Sequence, residues 1–369
     1  MITALLFAAL SPNAAAGPAC DPAALDTEEL LYCLTEALTE AQVRITALEA
    51  DSVPNLGDYV SVDAATDSVI VEGANLHIQS GGGATYLTNG LGNLIVGYNE
   101  DSTGDDNRTG SHNLVVGDEH TWTGYGGVVA GRNNTLSSPY ASVTGGLDNV
   151  ASGYGASVSG GYDNLADASY ASVTGGRGNT ADDHYTAVHG GYDNRANGDY
   201  ATVLGGYSNY AIGQYSAIVA GVDNYVTGTY AAALSGQEST ASGESAGVVS
   251  GYRVVAAGDR SAIISGDTVE TIGELAVVVT GKDNSAFYHS SVVVSGEDNF
   301  AGATGGVVIT GTDNTADGNY SLVGTGWNNR SPGVSSAVLG GYSGYTSGAW
   351  SSLLGGYDEN LYSTFEVGP

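Results

Sequence analysis

Basic residues are scarce. Nine Lys and Arg, with Lys282 the sole lysine, stand against forty Asp and Glu, for a formal net charge of −31. Such a chain repels nucleic acid and anionic lipid, and no basic patch offsets the repulsion. Long apolar runs are also missing beyond the first sixteen residues, so no bilayer span is expected after them. Two cysteines, Cys20 and Cys33, exclude a disulfide-dense scaffold. A disulfide within or between chains is one expectation for them, and two free thiols the other.

Catalytic signatures are equally thin. Gly243-Glu244-Ser245-Ala246-Gly247 matches a nucleophile-elbow pattern, but it lies wholly inside a repeat frame, and the match is read as chance. His112 and His120 flank Asp118 and Glu119 without a third ligand at suitable spacing. No phosphate loop or acid/base pair stands out, so an enzyme is not expected.

What is abundant is glycine, and it is periodic. A glycine occupies every fifteenth position from Gly131 to Gly356, about sixteen copies of one unit. Fifteen residues is too short for a helical-pair repeat or a propeller blade, and suits one coil of a β-solenoid. Val143, Val158, Val173, Val188, Val203, Ile218 and their successors form a β-branched column. Two residues upstream, Ala141, Ala156, Ala171, Thr186 and Ala201 form a small one. Positions two apart share a strand face, so both columns are expected inside. A second small column through Ala151, Ala166, Ala181 and Ala196 supplies the opposing strand. Gly153, Gly198, Gly213 and Gly228 are expected to close a turn with positive φ.

Asn149, Asn164, Asn179, Asn194, Asn209 and Asn224 make a ladder at the other turn. It lapses at Ser239, Val254 and Val269, where irregular coils are expected. Outward positions change from Ser142 and Thr144 to Val277 and Val279, Val292 and Val294, Val307 and Ile309. Exposed as a strip, these call for cover by further copies of the chain. The alternative places that face inside.

Upstream, Met1 to Ala16 is apolar and ends in Ala14-Ala15-Ala16 before Gly17, as a signal peptide would, although no Lys or Arg precedes the run. Residues 17–53 hold the cysteines and a helix. Asp26-Thr27-Glu28-Glu29 reads as a capping box, and Leu31, Leu34, Leu38, Ala41, Ile45 and Leu48 form an oligomerising a/d seam ended by Pro54. Residues 54–121 read as a β transition. It contains strands around Val60 and Val69, two looser coils at Asn93–Gly97 and Asn113–Gly117, and a polar loop from Asp101 to Thr109. The solenoid is expected over 122–361, with a tail at 362–369.

Two features suggest contact chemistry. Tyr140, Tyr170, Tyr185, Tyr200, Tyr215 and Tyr230 share one column, and Tyr162, Tyr192 and Tyr207 another. Such rings either stack on sugars or stiffen the solenoid by stacking on one another. Asp148, Asp163 and Asp193 stand in register before the Asn ladder. They are either solvated turn residues or, less favoured, oxygen ligands for calcium.

Short coils with a small-x-Val core, turn glycines and an Asn ladder, behind a coiled coil, resemble the head of trimeric autotransporter adhesins. More broadly, they resemble the trimeric β-roll fibres of bacteria and phage tails. The resemblance covers about residues 120 to 360. It implies a homotrimer of left-handed parallel rolls, secreted and binding a glycan, protein or matrix surface. The membrane-embedded barrel that ends those adhesins has no counterpart before Pro369, so release, assembly into a larger fibre or attachment through the N-terminal region is expected instead. A secreted, non-enzymatic adhesion or display protein is the leading expectation. A structural filament subunit is the alternative, with an ice-binding solenoid and a tail spike behind it.

Overall fold

The computed structural model describes residues 26–51, 56–101, 104 and 107–369. The expected signal segment 1–16, Cys20 and Pro54 lie outside the described residues. The chain divides into two units, Met1–His77 and Ile78–Pro369.

In the first unit, helix α1 spans Thr27–Asp51. Asp26 caps it: its Oδ1 accepts the N–H groups of Glu28 and Glu29, both at 2.9 Å, while Glu29 Oε2 accepts the Asp26 N–H at 3.2 Å. This is the reciprocal box read from the sequence. Leu31 and Leu38 are 66% and 70% exposed in the single chain. Cys33 is buried and disulfide-bonded, the first of the two expectations for it. A short helix, α2 (Leu56–Tyr59), leads into strand β1 (Val60–Asp63), which pairs antiparallel with β2 (Ser68–Val71).

The second unit is a parallel β-solenoid. Its first ladder holds nineteen strands, opening with β3 (Leu94–Val96) and β4 (Leu114–Asp118) and running to Val367–Gly368. Pairing is in strict register: Val158 lies between Val143 and Val173, and Ala187 opposite Thr202. The second ladder holds fourteen strands from Thr121–Trp122 to Thr315–Ala316. A third line of single parallel bridges runs through Leu147, Tyr162, Arg177, Tyr192 and Tyr207. Residues 362–369 are no tail, because Val367 pairs with Ser352 and closes another coil.

The interior is thin and filled as the columns predict. Ala156, Val158 and Ala166 are fully buried, and so are their counterparts in the neighbouring coils. Between the two strands Asn164 points inward. Its N–H and Nδ2 both donate to Asn149 Oδ1 at 3.0 Å, and Nδ2 also reaches Gly160 O at 3.1 Å and Gly176 O at 3.0 Å. Each inward Asn thus satisfies the turn backbone of its own coil and of its neighbours, which makes its burial affordable.

Two further expectations fail. The coils at Val254 and Val269 are not irregular: both side chains are buried, and strands Val255–Ala256 and Glu270–Thr271 pair as elsewhere. Apolar filling replaces the amide, and only the preceding glycines respond, with φ of 137° at Gly251 and 148° at Gly266 against 89° at Gly176. Nor do Gly153 and its column have positive φ. A Cβ at Gly153 would instead lie on the Ala168 carbonyl of the next coil, so the column is glycine-rich because coils touch there. Positive φ falls at Gly176, at Asp163 and, unexpectedly, at the Tyr170 column.

Candidate functional site

The turn from the second ladder back to the first presents the first tyrosine column. Tyr170 takes a φ of 60°, and Tyr185, Tyr200, Tyr215 and Tyr230 repeat it within a few degrees. Their N–H groups donate to the preceding coil, as Tyr170 does to Tyr154 O at 2.9 Å and Tyr200 to His184 O at 2.9 Å. Ser245, Arg260 and Leu275 continue the column with the same sign of φ, so the repeat dictates the conformation and tyrosine accepts it.

The rings stack on one another. Centroids lie 5.1 Å apart for Tyr170–Tyr185, 4.9 Å for Tyr185–Tyr200 and Tyr200–Tyr215, and 5.0 Å for Tyr215–Tyr230, with interplanar angles of 3–11°. Tyr125, Tyr140 and Tyr154 lead into the run edge-to-face at 5.3–5.6 Å. Ring faces inside the run are therefore occupied by other rings. What the column offers a partner is its edges and hydroxyls, not the open faces on which a sugar would stack. The five rings are 42–58% exposed.

The second column is built differently. Tyr192 and Tyr207 stack at 5.3 Å, and the Arg177 guanidinium sits 5.2 Å from the Tyr162 ring and 5.4 Å from Tyr192. Sequence reading missed that sandwich, although Arg177 holds the column position between the two rings. It also missed the Tyr210–Tyr225 stack at 4.7 Å, which the same fifteen-residue spacing signals.

Asp148, Asp163 and Asp193 all have φ of 54–58°. Asp, Asn and Ser tolerate this left-handed region, which accounts for the column without a ligand. Asn133 Nδ2 donates to Asp148 Oδ1 at 2.6 Å. Among the described residues these three do not form a metal-ligand group. The group whose ligand atoms converge within 4.8 Å is Asp183, His184 and Asp199. His184 Nδ1 lies 3.1 Å from Asp183 Oδ1 and 3.6 Å from Asp199 Oδ1. Burial pushes the Asp183 carboxyl up. The His184 N–H and ring, with a hydrogen bond shared with Asp199, outweigh it and hold Asp183 below its ordinary value.

The remaining sequence candidates resolve into structural roles. His112 Nε2 accepts the Ser80 N–H at 3.1 Å, and its Nδ1 meets Thr85 O at 3.1 Å, which pins the loop before β3. His120 is fully buried and takes the place of an Asn: Nδ1 accepts the Asn134 N–H at 3.2 Å and Nε2 donates to Val116 O at 3.1 Å. Glu119 and Asp118 pair with Arg132. Ser245 sits on the turn column with no helix after it, so the elbow geometry is absent.

Among the described residues no helix is long and apolar enough to cross a membrane. No protein-family model matches this chain, and no curated protein matches it.

Proposed function

We infer that this chain is a secreted fibrous protein of adhesion or surface display. It assembles as a homotrimer of left-handed rolls, with the helix seam Leu31, Leu34, Leu38, Ala41, Ile45 and Leu48 as the clamp that sets chain number. The observation that carries this reading is the outward face of the first ladder. Leu204, Val219, Leu234, Val249, Ile264 and Ile309 are 43–48% exposed, in one column continued by half-buried Val279 and Val294. Beside it runs the small column Ala217, Ala232, Gly247 and Ala262. The apolar strip is therefore longer than its Val-rich end. A contiguous apolar strip over eight coils is a surface that a soluble single chain rarely leaves in water. The exposed helix leucines support the same reading. Contact with a glycan or protein surface falls to the tyrosine edges.

Light scattering on the mature chain tests the assembly. A mass of three chains is expected, unchanged by a chelator if Asp148, Asp163 and Asp193 are turn residues alone. Val249→Asp with Ile264→Asp should release smaller species. A single-chain mass for the unaltered protein overturns the trimer. Retention on immobilised glycan or matrix tests the adhesive part, and retention on none of them overturns it.

A further inference from the structure

The tyrosine run from Tyr170 to Tyr230 has a property that neither adhesion nor assembly requires. Five phenols lie in parallel, each 4.9–5.1 Å from the next and about half exposed. Each belongs to a different coil, and beyond the continuous chain the coils are held together by backbone ladders and side-chain contacts. We propose that this run is a site of oxidative cross-linking, in which neighbouring tyrosines couple to dityrosine within one chain and staple successive coils.

The chemistry balances simply. Two neighbouring phenols each lose one electron and one proton to a peroxidase-class oxidant. The two phenoxyl radicals then join by a carbon–carbon bond ortho to their hydroxyls, and the rings regain aromaticity by moving the ortho protons to oxygen. Two electrons and two protons leave in all. Hydrogen peroxide takes them up and becomes two waters. The product is lighter than the parent chain by two hydrogen atoms per link.

Geometry favours neighbours over strangers. Partners held side by side react at effective concentrations far above any attainable in solution, so coupling along the run outpaces coupling between molecules. Half exposure leaves each ring open to the oxidant and free to tilt toward its neighbour. Beyond Tyr230 the column continues with Ser245, Arg260, Leu275 and Ser290, which cannot couple. The run in this column thereby ends at Tyr230. The inference holds for one chain or three, so it does not depend on the trimer.

The test treats the purified protein with hydrogen peroxide and a haem peroxidase. Dityrosine fluorescence per chain should be independent of protein concentration, and the denatured product should run as a single chain. Cleavage before aspartates puts Tyr170, Tyr185 and Tyr200 on separate fragments, since Asp182, Asp183, Asp193 and Asp199 intervene. Linked fragments joining these residues are expected. Tyr185→Phe with Tyr215→Phe keeps the rings but leaves no adjacent phenols from Tyr170 to Tyr230. Phe365 already occupies this column with φ of 62°, so the variant should fold. It should lose the link between fragments 167–181 and 183–192, which reports Tyr170–Tyr185, while Tyr192–Tyr207 still joins 183–192 to 199–222 as an internal control. Covalent multimers as the main product would overturn the proposal. So would absence of the link between 167–181 and 183–192, or its survival in the double variant.

Discussion

At the scale of single residues, adjacent glycines in the same turn do different work. Gly176 has φ of 89°, and a Cβ there would lie on the Gly191 carbonyl oxygen and 2.5 Å from Asn179 Nδ2. Gly175, one position earlier, has open space around it and no positive φ. Gly176→Ala should therefore destabilise the roll by about 3 kcal/mol or more, through left-handed strain and a clash with backbone. Gly175→Ala should change stability by less than about 0.5 kcal/mol. Denaturant unfolding of the two variants checks the contrast, and equal effects would refute it. The period marked Gly176 as constrained, since no copy departs from it. The Gly153 column was legible as special but not for the right reason. Close approach between coils and positive φ both select glycine, and only coordinates tell them apart. The tyrosine φ was invisible for a related cause. An aromatic in the left-handed region is costly, and nothing in the letters says that stacking on both sides helps to offset it.

At the scale of elements, the coils are alike in hydrogen bonding but not in filling. The apolar core runs unbroken from Val115 to Val323, and a separate small cluster of Val338, Leu353 and Leu361 follows. Between them the interior is hydroxylic: Ser331 Oγ meets Ser336 Oγ at 2.7 Å and Thr346 Oγ1 at 3.1 Å. At the same level the second ladder thins to single bridges through Arg330. Less apolar burial means a lower opening free energy. Amides from 337 to 361 should exchange with deuterium about tenfold or more faster than those from 142 to 323, consistent with a deficit of a kcal/mol or two. Uniform protection across both stretches would contradict this. The sequence carried the two strands, their facing columns and the Asn ladder, because each recurs often enough to be read as a pattern. It did not carry the fate of the exceptions. Val254 and Val269 lapse from the ladder, yet they fill the same space with a different chemistry.

At the scale of the whole molecule, charge dominates. A net charge of −31 on a stack of turns sets carboxylates along the same edges, and few cations answer them. Those present are placed locally: Arg195 pairs with Asp182, Arg330 with Asp317 at 2.6 Å, and Lys282 with Glu297 at 2.8 Å. Self-repulsion should therefore weaken the fold at low ionic strength. Raising sodium chloride from about 10 mM to about 500 mM should lift the thermal midpoint by several degrees, because exposed charges are screened beyond a few ångströms. A midpoint that falls with salt would show that the local ion pairs outweigh the repulsion. The register of the columns has one more consequence, and it is genetic. Each coil meets only its two neighbours, and every column repeats where the coil repeats. Duplication or loss of one whole unit by replication slippage leaves all the columns aligned. A single-codon insertion within a strand would turn inward side chains out. The gene can therefore vary the reach of its product in discrete steps while selection holds the cross-section constant.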